Sequence, residues 1–371
     1  MDLTYEDELC VKKQNLLECL GVHSHLLTEV IPSPKPLYYR NKMEFAFGDD
    51  KQGGALALGI RKRRSMYEVA TVEECVLIHE DFKKIVQITT DYFQNTGDNF
   101  YHRKKRTGSL RHLTVRRGEF TGEILIMLSS SSSLNTPLEP LLIYLTKACK
   151  NIVGILHSIN DGVSDVVKTE DVKILFGRDF YKETLLGLNF EISINAFFQT
   201  NSQVAEILYM CILDFAKTVG SNSLALDLYC GTGTIARILS PIFENVVGVD
   251  IIPEAIENAQ KMAKENCIFF AGDVVKLMKS EDFNNPSLII LDPPRDGLNP
   301  KLIPYIAALT PEKIIYVACK PKSLARDIPL FGNHGYIPKK INAVDMFPRT
   351  PHIECVALFD RLYTHNGKHL L

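Results

Sequence analysis

Leu224-Ala-Leu-Asp-Leu-Tyr-Cys-Gly-Thr-Gly-Thr234 is the stretch that decides the fold. A short apolar run ends in a glycine-rich turn, and a helical stretch follows. That is the opening of a βαβ unit, where glycines let the backbone approach a ligand closely. Ile235 and Ala236 follow Thr234, so the spacing is not Gly-x-Gly-x-x-Gly and dinucleotide binding is the weaker reading. Downstream, apolar runs recur at Val246–Val249, Ile268–Phe270, Leu288–Leu291 and Ile314–Val317, separated by helical stretches. This rhythm implies an α/β fold with a parallel, doubly wound sheet. Two last runs, Tyr336–Val344 and Ile353–Phe359, add a terminal antiparallel strand pair.

Upstream, residues 4–20 and 79–95 read as helices, as do 138–149 and roughly 200–218. Phe45-Ala-Phe47 and Leu56-Ala-Leu58 flank a Gly53-Gly54 turn. Leu110–Val115 and Gly122–Leu128 read as a hairpin turning near Arg117-Gly118, with Val153–Ser158 a further strand. Ser129–Ser133 reads as a loop. The expected organisation is an N-terminal helical segment (1–33), a mixed α+β region (34–196) and the doubly wound domain (197–371).

The 371 residues are 46% hydrophobic and 23% charged, an ordinary globular composition. No apolar stretch is long enough for a transmembrane helix, and the acidic N-terminus lacks the basic start of a secretory signal. Nine scattered cysteines without a Cys-x-x-Cys pair argue against a metal site and for reduced thiols in a cytoplasmic protein. The net charge of -2 hides an asymmetry: residues 34–117 hold 17 Lys or Arg against 10 Asp or Glu, so the remainder carries -9. The runs Ile60-Arg-Lys-Arg-Arg64 and His102-Arg-Lys-Lys-Arg106 are candidate phosphate contacts, namely Arg61, Arg63, Arg64, Arg103, Lys104, Lys105 and Arg106. Arg40, Arg111 and His112 are further nucleic-acid candidates.

In the doubly wound domain, Asp227 and the turn glycines Gly231 and Gly233 belong to the nucleotide-cofactor signature. Asp250 ends the second strand, where a carboxylate can accept both hydroxyls of a ribose. Asp273, after the third strand, can accept from an adenine amino group or cap the next helix. Asp292-Pro-Pro-Arg295 ends the fourth strand, over the crevice where ligands bind in such sheets. An aromatic residue after the prolines would suit stacking on a base with an exocyclic amine; Arg295 argues against that target. Cys319 ends the apolar run Ile314–Ala318, and Glu354 begins the last one. A thiol nucleophile and a carboxylate base are what addition to an unreactive pyrimidine ring requires. Lys320, Lys322 and Arg326 are candidates to lower the thiol pKa. Cys230 and Cys355 are competing thiols, but neither ends a strand before a proline.

Seven short motifs, taken in order, resemble the RNA (uracil-5-)-methyltransferase family. They are Tyr39-Arg-Asn-Lys42, Leu110-Arg-His-Leu113, Phe198-Gln-Thr-Asn201, Asp227-Leu-Tyr-Cys-Gly231, Asp292-Pro-Pro-Arg295, Cys319-Lys-Pro321 and Phe347-Pro-x-Thr-x-His-x-Glu354. The likeness spans about residues 36 to 360. It implies a class I S-adenosylmethionine-dependent methyltransferase acting on carbon 5 of uridine in RNA, with Cys319 as nucleophile and Glu354 as proton acceptor. It also implies cofactor contacts at Gln199, Tyr229 and Thr234, and a place for Asp292 near cofactor and uracil. Lys320 stands where the family usually has Asn. Relatives often carry an N-terminal oligonucleotide-binding barrel and a four-cysteine iron–sulfur cluster. Cys75 resembles the last cluster ligand, but its three companions would precede Tyr5, so neither cluster nor barrel is expected. Ribosomal RNA is the preferred substrate, transfer RNA at a T-loop uridine the alternative, and a monomer is expected. A non-catalytic RNA-binding or RNA-folding protein on the same fold is the reading from a different class.

Overall fold

Two compact units divide the chain: Met1–Pro36 with Gln203–Leu371, and Leu37–Ser202. The computed structural model describes residues 3–163, 172–280, 283 and 285–362. The N-terminal segment thus belongs with the C-terminal half instead of standing alone, and the mixed region extends to Ser202.

Helix α1 (Tyr5–Leu20) starts at a capping box, in which the Thr4 hydroxyl accepts from Asp7 and the Asp7 carboxylate accepts from Thr4. Lys12, Leu16 and Leu20, four residues apart, form its buried stripe. Strand β1 (Leu27–Ile31) follows.

The inserted unit runs β2 (Lys42–Asp49), β3 (Leu56–Arg61), β4 (Val69–Ala70), α2 (Glu80–Gln94), β5 (Leu110–Arg117), β6 (Ile124–Ser130), α3 (Glu139–Ala148), β7 (Ile152–Ile159), β8 (Val172–Gly177), β9 (Phe180–Leu185) and β10 (Leu188–Ser193). The first seven of these strands, β2 to β8, make a seven-stranded sheet in the order β4-β3-β2-β5-β6-β7-β8; β9 and β10 form a separate hairpin. Strand β6 continues through Ser130, so Ser129 and Ser130 of the serine run expected as a loop lie in the sheet. Helix α2 buries Phe82, Ile85, Val86, Thr89 and Phe93 in the core of this unit. Full burial of one such apolar side chain contributes roughly 1.5–3 kcal/mol.

A polar network lies beneath that core. Glu183, fully buried, accepts from the backbone of Glu119, Phe120 and Thr184 and from the Ser202 hydroxyl. The Asn41 amide donates to Ser202 Oγ and to the Gln199 carbonyl, at 2.9 and 2.8 Å. Buried Arg116 donates through Nε to the Ile194 carbonyl and through Nη2 to that of Ala196. These bonds fix the course of residues 194–202.

The larger unit continues with α4 (Ser202–Ala216), β11 (Leu224–Leu228), α5 (Thr234–Leu239), β12 (Asn245–Asp250), α6 (Pro253–Lys261), β13 (Cys267–Ala271), α7 (Val274–Ser280), β14 (Leu288–Leu291), α8 (Ile303–Ala308), β15 (Lys313–Ala318), α9 (Pro321–Gly332), β16 (Tyr336–Val344) and β17 (Glu354–Arg361). Its eight strands are ordered β1-β16-β17-β15-β14-β11-β12-β13. β17 alone runs antiparallel, between β15 and β16, and β1 pairs parallel with the outer edge of β16. The expected parallel sheet with an antiparallel closing pair is present, with β1 added at its edge; β8, β9 and β10 are further strands of the inserted unit that the sequence pattern did not mark.

Glu183→Ala leaves four donors without their acceptor, and each stranded buried group costs about 1–3 kcal/mol. We expect a loss of at least roughly 3 kcal/mol in urea unfolding on this basis. An unchanged midpoint would show that water replaces the carboxylate.

Candidate active site

The turn after β11 is built for close approach. Tyr229, Gly231 and Gly233 have φ of 68°, 54° and 74°, the left-handed region that favours glycine. A Cβ on Gly231 would meet nothing within 4 Å, so the turn faces open space there. A Cβ on Gly233 would lie 2.7 Å from the Phe269 ring, which forces glycine at that position. Asp250 braces the turn: Oδ2 accepts from the Gly231 amide and Oδ1 from Ile252, both at 2.9 Å. Asp227, fully buried, accepts from Ala236 through Oδ2, while Oδ1 has no partner. Burial, with Asp292 and Asp250 nearby, pushes its carboxyl up to about 8. Thr234 is buried at the start of α5. Asp273 caps α7, accepting from the Lys276 amide through Oδ1 at 2.9 Å, so of its two expected roles the structure displays the cap.

Strand reversal brings the thiol and the glutamate together. In the β15–β17 ladder Ala318 pairs with Cys355, so one more residue sets Cys319 opposite Glu354. Glu354 is buried, and its Oε2 has no hydrogen-bond partner. Burial first, and then Asp292, push its carboxyl up to about 8; burial alone pushes Asp292 up to about 7. Burial raises the Cys319 thiol above its ordinary value, with Glu354 and Asp292 adding to the effect. The cation that pulls it back is Arg295. Lys320, exposed, begins α9 without a side-chain cap, and its carbonyl accepts from the Ser323 hydroxyl. Arg326 is committed elsewhere: it binds Asp327 and the carbonyls of Asp296 and Leu298. That anchor, with the Asp327–Tyr316 bond of 2.8 Å, ties the loop after Asp292 to α9. The expectation that Lys320, Lys322 or Arg326 tunes Cys319 therefore passes to Arg295. Of the rival thiols, Cys230 and Cys355 are both buried and both raised, chiefly by burial.

His352, the histidine of the Phe347–Glu354 motif, joins the site, and so does Tyr209, which went unread in the sequence. His352 Nδ1 lies 3.3 Å from Arg295 Nη2, beside the loop that leads into Glu354. Tyr209, buried on α4, feels Asp292, Glu354 and Asp227, which with burial raise its phenol. A tyrosine on an apolar helix face carries no sequence signal of that kind. Gln199 lies in the inserted unit, buried, its carbonyl held by Asn41.

The basic candidates also lie in the inserted unit. The Tyr67 and His102 rings stack at 4.2 Å, and Tyr67 Oη accepts from the Lys104 amide. This joins the two basic runs into one patch, exposing Arg63, Arg64, Lys104, Lys105 and Arg106. Arg61 folds back onto the Met66 carbonyl, Arg103 is half-buried, and so is Arg40. Arg111 and His112 do not belong to that exposed patch. Both are buried in β5, and the Arg111 guanidinium lies 3.8 Å from the Tyr101 ring centre and donates to the Gly162 carbonyl, so its charge is spent inside the unit.

A doubly wound sheet with an open glycine turn, an acid at the end of β12 and a reversed last strand defines a class I S-adenosylmethionine-dependent methyltransferase. The orphaned Asp227 oxygen and the open face at Gly231 suit a cofactor that brings an amino group and a ribose. A profile described as tRNA (Uracil-5-)-methyltransferase matches residues 273–362, and a methyltransferase-domain profile matches 220–297. An RNA methyltransferase of Caldanaerobacter subterraneus subsp. tengcongensis is 41% identical over 97% of this chain and 81% of its own length. One from Clostridium tetani is 41% identical over 96% and 79%. The crystal structure of Pyrococcus abyssi tRNA (uracil-54, C5)-methyltransferase with S-adenosyl-L-homocysteine superposes with a TM-score of 0.79 and 28% identity, covering 96% of this chain and 84% of that one. The chain belongs to the RNA (uracil-5-)-methyltransferase family. Among the described residues there is no cluster of potential metal ligands, and no helix is long and apolar enough to cross a membrane.

Asp227, Asp292 and Glu354 each hold a proton more tightly folded than unfolded. Raising the pH from the ordinary carboxylate range therefore removes protons from the unfolded chain first and favours unfolding, until the folded groups have titrated as well. The cofactor-free protein should lose stability from pH 5 to pH 8, and Asp292→Asn should flatten that slope. Melting curves at each pH measure both, and equal slopes in the two proteins would contradict the buried cluster.

Proposed function

We propose that this chain methylates carbon 5 of a uridine in RNA through a covalent adduct between Cys319 and carbon 6. The observation that supports this reading best is the register that sets Cys319 opposite the buried, half-unpartnered Glu354. S-adenosylmethionine supplies an electrophilic methyl group. Asp227, Tyr229, Gly231, Gly233, Thr234 and Asp250 hold it, and Asp292 positions uracil or cofactor.

Arg295 favours the Cys319 thiolate. Addition of sulfur to carbon 6 moves the ring electrons onto the carbonyl oxygen and makes carbon 5 nucleophilic. Once carbon 5 carries the methyl group, Glu354 accepts its proton. The carbon 6–sulfur bond then breaks, restoring the double bond and returning the electron pair to sulfur. Glu354 suits the task because a base working near neutral pH needs a pKa near it. The exposed Arg63, Arg64, Lys104, Lys105 and Arg106 bind RNA phosphates. The target uridine leaves its stack to reach the thiol. We place the enzyme in the cytoplasm, as a monomer. Ribosomal RNA is the substrate that the sequence motifs favour; the Pyrococcus abyssi relative, named for uracil-54 of tRNA, favours transfer RNA.

Cys319→Ala should abolish methyl transfer and leave S-adenosylmethionine binding intact; retained turnover would sink the nucleophile. Glu354→Gln should accumulate an RNA–protein adduct stable to denaturing electrophoresis, and an inactive variant without adduct would remove Glu354 as the base. Nucleoside mass spectrometry of ribosomal and transfer RNA from cells with and without the gene should show 5-methyluridine lost from one class. No loss from either would favour the non-catalytic reading, with Lys320 as the first residue to revert to Asn.

A further inference from the structure

The loop between β16 and β17, residues 345–353, carries Phe347 and His352 and leads directly into Glu354. It is held by α1, more than 330 residues away in sequence. Lys12 is buried, its Nζ 2.7 Å from Asp345, 2.6 Å from Glu8 and 3.2 Å from the Phe347 carbonyl. Asp345 is fully buried and also accepts from Tyr5 Oη at 2.9 Å. Further along, Glu8 accepts from the Arg349 amide at 2.8 Å, and the Arg349 guanidinium reaches the Leu3 carbonyl at 3.0 Å. Arg349 has φ of 62°, a strained conformation that persists only where its surroundings hold it. Thus α1 touches both ends of the segment Asp345–Arg349 with charged groups.

A buried ion pair is weak grounds for a stability role, since apolar replacements are often as stable. What an apolar pair would not replace is the bond from Lys12 to the Phe347 carbonyl. That bond fixes backbone seven residues before the sheet resumes at Glu354. The positive charge of Lys12 also reaches His352, whose imidazole is held below its ordinary pKa by burial, Arg295 and Lys12.

We propose that Lys12 is a positioning residue of the catalytic centre, holding the 345–353 loop through Asp345 and the Phe347 carbonyl so that Glu354 meets the adduct in register. The proposal rests on the reading of Glu354 as the base. It makes α1 a working part of the site, although no residue of that helix touches a reacting group.

The test follows two readouts on the full chain. Hydrogen exchange measured by mass spectrometry reports the loop, and decay of the RNA–protein adduct, formed on host ribosomal and transfer RNA transcripts, reports the base step. Lys12→Met should speed exchange in 345–353 about tenfold or more while leaving β14 and β15 protected, as a local opening does. Adduct decay should slow by roughly 100-fold, the scale of a small misplacement of a reacting group, with S-adenosylmethionine binding unchanged. The double variant Lys12→Met/Asp345→Leu, which buries no lone charge, should recover the melting temperature but not adduct decay. Glu8→Ala should slow decay more mildly and serves if Lys12→Met fails to fold. Unchanged exchange in the loop, or adduct decay restored in the double variant, would overturn the proposal. Absence of any adduct in Glu354→Gln would instead remove the base assignment, and loop exchange in Lys12→Met would still decide whether the brace exists.

Discussion

Strand β17 runs against the other seven strands of its sheet, and most of the site depends on that reversal. In a wholly parallel sheet the functional ends of all strands are carboxyl ends. Inserting one strand in the opposite sense brings an amino end to the same edge. Glu354 is the first residue of β17 and Cys319 the first beyond β15, so a carboxylate and a thiol face each other without any long loop between them. The hydrogen-bond ladder then sets their relation to within the tolerance of a sheet register, since slipping by one residue would turn Glu354 to the other face.

Gathering three carboxyl groups at that edge has an electrostatic cost. Asp227 and Glu354 each keep one buried oxygen without a partner, and in a low-dielectric setting such groups hold their protons. Burial thus raises all three carboxyls above the ordinary carboxylate range. Arg295 is the compensating charge on the thiol, and its guanidinium lies beside the His352 ring. Folding has left the centre under-satisfied where function requires polarity, which is the usual place for local rules to be broken.

The βαβ rhythm, the glycine turn and the Cys319–Glu354 pair were legible because each rests on local pattern. What escaped was non-local or disguised. β1 is a short run, Leu27-Thr-Glu-Val-Ile31, with a partner more than 300 residues on. The β9–β10 hairpin turns at Leu186-Gly187, both with positive φ. That geometry belongs to a primed turn, for which Asn-Gly is the recognisable signal and Leu-Gly is not. Arg111 and His112 looked like surface groups in a basic region, yet alternation along β5 gives no inward or outward sense until its neighbours are known; both faces proved to be covered. Lys12 is the same lesson reversed. A lysine on a polar helix reads as solvated, and only the fold reveals the aspartate waiting for it.

The division of the larger unit across both ends of the chain has a consequence for how the protein is made. Leu37–Ser202 is contiguous and can complete its core as soon as it leaves the ribosome, since domains generally fold as units during synthesis. Helix α1 and β1 emerge ahead of it but must wait for β16, and the loop entropy of that closure makes it a slow, late event. Until then the apolar stripe of α1 has no partner. The order of synthesis therefore withholds β17, and with it Glu354, until the rest of this sheet has been made.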